Sequence, residues 1–113
     1  MKQIKWGGSS LKDLKNFSVT ARGRAGYEFM NIQHGEDASD WKPMQGIGAG
    51  VKEIRIHCEN EYRIIYVAKF LDVVHVLHAF IKKTQKTSKK DIDIAKTRYQ
   101  AILNQHRGKQ SEK

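Results

Sequence analysis

The sequence predicts an α+β domain in which helices pack on one side of a small, mainly antiparallel sheet. Two observations predict it. Apolar residues recur at helical spacing in the first third of the chain and again after Ser88, whereas between these stretches they alternate with polar residues or form β-branched runs bounded by turn residues. At 113 residues and 39% hydrophobic content, the chain suits one core.

Gln3 to Trp6 alternates polar and apolar and ends at Gly7-Gly8, the pattern of a brief strand. Ser10 and Asp13 have capping-box spacing, with Leu11, Leu14 and Phe17 following at helical intervals. A second helix is expected from about Thr20 to Ile32, its stripe made by Ala21, Ala25, Phe29 and Ile32; Gly23 and Gly26 each cost it about 1 kcal/mol relative to Ala. Trp41-Lys42-Pro43-Met44 is extended, because a residue before proline avoids the α region. Three strands follow, around Ile54 and Ile56, from Tyr62 to Ala68 and from Val73 to Phe80, in an antiparallel meander. Ser88 and Asp91 repeat the capping-box spacing before a closing helix with the stripe Ile92, Ala95, Tyr99 and Ile102. The expected domain is residues 1–104, with 105–113 a frayed polar tail and the sheet face opposite the helices left open for a charged ligand.

The formal charge is +9, with 6 basic and 5 acidic side chains in residues 1–40, 8 and 4 in residues 41–87, and 7 and 3 in residues 88–113. This asymmetry points to a polyanionic or acidic partner. The single cysteine, Cys58, excludes an internal disulfide and a cysteine-based zinc cage. No stretch reaches the ~20 apolar residues of a spanning helix and the first residues lack a secretory pattern, so a cytoplasmic protein with no membrane partner is expected.

Gly46 to Gly50 superficially resembles a phosphate-binding loop, yet it precedes a strand and lacks a Lys-Ser/Thr ending, so sharp turning is the better reading. His57, Cys58, His75 and His78 crowd into neighbouring strands. A regular strand points His75 and His78 to opposite faces, which argues against a metal site, and no cofactor is implied. No Ser/His/Asp arrangement and no paired carboxylates are legible in the basic half. What remains is cationic: Arg55 on the face opposite Ile54 and Ile56, Arg63 inside an apolar run where it must be paired or face a ligand, and the basic turn Lys82, Lys83 and Lys86. Both arginines could clamp one phosphate. His57 shares a strand face with Arg55 and is a candidate for acid–base work.

The strings KPMQGIGAGVKEIRI (42–56), YRIIYVAKF (62–70) and VHVLHAFIKKTQKTSKKDIDIAKTRY (74–99), with DWKPM (40–44), resemble the phage-related toxins of the Tad and HigB type within the RelE/ParE superfamily, over about residues 2–103. The resemblance implies a RelE-like fold and a toxin held inactive by a cognate antitoxin, commonly of helix-turn-helix type, in a possible heterotetramer. It also implies ribosome-dependent mRNA cleavage without metal, the 2′-OH attacking the adjacent phosphate, although ParE relatives poison DNA gyrase instead. By position, it makes Arg63 the phosphate-binding arginine and Arg55 the second choice. It makes Lys82 and Lys83 candidates to hold the phosphate or protonate the leaving 5′-oxygen, with His57 a base by position only. Phe80 would pack beneath the site or stack on a base, and Lys52, Lys69 and Lys86 would contact RNA backbone. RelE's C-terminal tyrosine has no counterpart after Tyr99, which belongs to the buried stripe, so the acid and the base stay unassigned.

Overall fold

The computed structural model describes residues 1–70 and 72–111, with side chains described through Arg107. The elements run β1 (Gln3–Trp6), α1 (Ser10–Lys15), α2 (Val19–Gln33), β2 (Trp41–Pro43), β3 (Val51–Cys58), β4 (Asn60–Val67), β5 (Val73–Lys82) and α3 (Lys89–Ser111). They build one five-stranded sheet in the order β1-β5-β4-β3-β2, antiparallel except where β1 lies parallel to β5.

Local chemistry explains most boundaries. Ser18 caps α2 by accepting from the Ala21 amide, and Ala21, Ala25, Phe29 and Ile32 are its buried stripe. Ser88 caps α3, accepting from the Asp91 amide at 3.2 Å and donating to the Asp91 carboxylate at 2.7 Å. α1 starts one residue earlier than its spacing implied: Ser9 is the flanking residue and donates to Asp13, while Ser10 is buried against β5. β3 and β4 meet through a tight turn in which Glu59 takes a φ of 65°. α3 continues through residues 105–111, the stretch expected to fray.

The helices do not share one side of the sheet, which corrects the expected layering. α1 and α2 cover the face carrying Ile54, Ile56, Tyr62, Ile64, Tyr66, Val74 and Val76. α3 covers part of the other face, packing Ala95, Tyr99 and Ile102 on Val51, Ile65, Val67 and Leu77. Both faces are therefore apolar in the middle of the sheet, and β4 reads as a nearly continuous buried run rather than an alternating one. Gly48 explains part of the glycine loop: a Cβ there would run into the Tyr99 ring, so close seating of α3 requires its absence. Gly50 adopts a φ of 81° and supplies the left-handed turn into β3.

A bulge in β5 corrects a second expectation. Ile65 pairs with His78 and Val67 with His75, while the intervening Tyr66 pairs with Val76, leaving Leu77 extra. His75 and His78 consequently face the same side, the α3 side. Among the described residues, no group of three or more His, Cys, Asp or Glu is placed to hold a metal ion.

Candidate functional site

The α3 side of the sheet changes character toward its β3–β4 turn. Beyond the apolar patch under α3 the outward positions become Glu53, Arg55 and His57 on β3, Glu61 and Arg63 on β4, and Phe80 and Lys82 on β5. Arg55 is directly opposite Arg63, Arg63 opposite Phe80, and Glu61 opposite both His57 and Lys82. Strand register thus assembles what the sequence holds apart.

Arg63 is buried, 4% exposed. It donates to the Tyr62 carbonyl at 3.0 Å and to Glu61 at 3.1 Å, with its Nε 3.7 Å from Glu53 Oε1. Arg55, a third exposed, places its Nε 3.9 Å from the same oxygen. Glu53 is wholly buried and anchored at its other oxygen by Thr87, which donates at 3.0 Å from the loop before α3. Glu53 Oε1, Arg55 Nε and Arg63 Nε have no hydrogen-bond partner among the described residues. Lys82 completes the group: burial first, then the charge of Arg63, holds its ammonium below the usual lysine range.

His57 lies on the rim. Its Nδ1 meets Glu61 at 2.7 Å and its Nε2 meets Asp40 at 2.8 Å. These two hydrogen bonds, to Glu61 first and then Asp40, raise its pKa above the ordinary value, while the bond from His57 and then that from Arg63 lowers the pKa of Glu61. An imidazole held by two carboxylates keeps its proton to higher pH than a free one, which favours the role of donor. A hollow of about 540 Å³ opens beside it between α2 and the edge of β3, lined by Arg24, Tyr27, Asp40, Arg55 and His57 among others.

The remaining candidates separate. Phe80 is buried, its ring stacked on His78 at 4.8 Å, so it packs beneath the site. Lys83 follows β5 and lines a different hollow with Asp13, Asn16 and Lys90. Lys86 is exposed on the loop that carries Thr87. Lys52 is on the opposite face, bonded to Asp37 at 2.8 Å and lying over the Trp41 ring. Lys69 is beyond the far end of β4, where it donates to Tyr99 at 2.7 Å. Neither joins the arginines.

Sequence reasoning found no paired carboxylates in the basic half, whereas strand register brings two, Glu53 and Glu61, onto Arg63. The signal for Glu53 was its place two residues before Arg55, on the same strand face. Asp91 was read only as a cap, yet its second oxygen accepts from His78 Nε2 at 2.7 Å. Ser88, Asp91 and His78 do meet, but with the carboxylate in the middle, so the serine is not activated by the imidazole.

The fold and this sheet end define a small basic α+β domain that concentrates arginine and lysine at one point. The chain belongs to the phage-derived Gp49-like family (DUF891), whose model matches residues 12–100, from α1 well into α3. That family lies within the RelE/ParE toxin-like superfamily, and the five-stranded sheet with three helices is consistent with a RelE-like fold. A search of curated proteins found no match.

Proposed function

We propose that this chain is the toxin of a type II toxin–antitoxin system, of the HigB or Tad branch, and that it cleaves mRNA on the ribosome without a metal. One observation carries the reading: Arg55 and Arg63 stand opposite each other on neighbouring strands with Lys82 alongside on the next, so one sheet face gathers three cations suited to a phosphate.

In this mechanism the RNA 2′-oxygen forms a bond to the adjacent phosphorus and the bond from phosphorus to the 5′-oxygen breaks. The products are a 2′,3′-cyclic phosphate and a free 5′-hydroxyl. Arg55 and Arg63 stabilise the charge of the pentacovalent phosphorane, the largest contribution fixed donors make to such a reaction. Lys82, with its lowered pKa, releases a proton to the leaving 5′-oxygen. The 2′-hydroxyl proton passes to the carboxylate of Asp40, which lines the same hollow as Arg55. Lys86 supports the RNA backbone, and a helix-turn-helix antitoxin covers the basic end in the inactive complex.

The test is expression of the chain without antitoxin and mapping of transcript 5′ ends. Breaks within translated frames support the nuclease; growth arrest with intact transcripts refutes it. A second reading, a ParE-like toxin that contacts DNA gyrase, is favoured by the near-complete burial of Arg63 and its engagement by two carboxylates. Gyrase-linked DNA breaks in the arrested cells would select it.

A further inference from the structure

We infer that Glu53 is an internal counter-ion standing where the substrate phosphate belongs, a positioning residue that keeps Arg55 and Arg63 converged and sets RNA affinity against the rate of scission. The inference rests on the phosphate-clamp reading above and deepens it.

Two like charges directly opposite on neighbouring strands repel, so Arg55 and Arg63 need an anion between them to stay together. Glu53 supplies it from the same face of β3, two residues before Arg55. Its two oxygens are treated differently. Oε2 is anchored by Thr87 at 3.0 Å, whereas Oε1 faces both guanidinium Nε atoms at 3.7 and 3.9 Å, too long for hydrogen bonds. One buried acceptor and two buried donors thus point toward a common spot with their hydrogen bonds unmade. The carboxylate holds the arginines by charge alone. A phosphate oxygen able to accept from both Nε–H groups offers the bonds that Glu53 does not, and it can approach along the open side of Arg55. Neutralising Glu53 without changing its shape should therefore strengthen polyanion binding, because a competing anion is lost, and slow cleavage, because the arginines are no longer held in register.

The experiment compares the parent, Glu53→Gln and a charge control, Glu36→Gln, an exposed carboxylate outside the site. Each is titrated with an uncleavable 2′-deoxy oligonucleotide and assayed under single turnover on mRNA held by programmed ribosomes. Glu53→Gln is expected to bind at least fivefold more tightly than the parent at low salt, with the salt slope steeper by about 0.7, the value of one phosphate contact on a single strand. Its cleavage step is expected to slow at least tenfold, and Glu36→Gln to change either quantity less than twofold. Binding no tighter than that of Glu36→Gln overturns the proposal, as does tighter binding with an unchanged rate. A parent that binds the analogue without cutting ribosome-bound mRNA refutes the nuclease reading alone, and the affinity comparison then decides the role of Glu53. Absence of binding by both proteins refutes both. Should Glu53→Gln fail to fold, arginine Nε–H resonances of the parent decide during titration with inorganic phosphate. Arg55 and Arg63 shifting with one midpoint supports the placement, and shifts confined to lysines overturn it.

Discussion

Replacing Arg63 by Ala is the obvious probe of the clamp, and the structure predicts that it will first be a stability mutation. Removing one partner of a buried ion pair costs about 3–5 kcal/mol, because the other charge is left without compensation. Here Glu53 is wholly buried but keeps Thr87 at 3.0 Å and Arg55 at 3.9 Å, which places the loss near the lower end, about 3 kcal/mol. For a chain of this size about 4 °C of melting temperature accompanies each kcal/mol, so a fall of about 12 °C is expected. Urea unfolding should show the midpoint moving with little change in slope. The double variant Arg63→Leu with Glu53→Leu removes both charges and should regain most of the loss, since apolar replacement of a buried pair is often neutral. A loss below about 1 kcal/mol for Arg63→Ala, or a double variant no more stable than the single one, would refute the assignment of a buried, interdependent pair.

Three further outcomes follow from the same coordinates. Arg55→Ala, at the open side of the clamp, should leave unfolding within about 1 kcal/mol of the parent while cutting RNA cleavage at least a hundredfold, so equal losses of fold and activity would count against its role. Two histidines should titrate in opposite directions from 6.5, read by proton NMR: His57 above, through its bonds to Glu61 and Asp40, and His75 below, chiefly through burial. The stability His57 contributes is full below 6.5 and disappears as pH rises through its folded-state pKa, whereas that tied to neutral His75 is full above 6.5 and declines as pH falls toward its folded-state pKa; His57→Gln should abolish the first slope only. Gly48→Ala should cost about 1–3 kcal/mol by thermal unfolding, since its Cβ would enter the Tyr99 ring, and a neutral result would mean that α3 is seated differently.

Much of the architecture was legible because its causes are local. Ser88 caps α3 through atoms a few residues away, the stripe of α2 follows from a 3.6-residue period, and the β-branched runs of β4 and β5 favour a pleated surface whatever surrounds them. The basic end was legible in part, since Arg55 and Arg63 stand out against the apolar residues flanking them.

The layering was not legible, because an apolar helix stripe specifies that it must be covered and not by which side of a sheet; α3 took the side opposite α1 and α2. Nor was the bulge at Leu77, which depends on how β5 fits β4 and turns His75 and His78 to a common face. Charge pairing shows the division most sharply. Composition alone determined that the chain carries +9. Only strand register decided that Glu53 and Glu61 would be the first anions the arginines meet, because Coulomb energy depends on separation in space and spacing along the chain carries no such information.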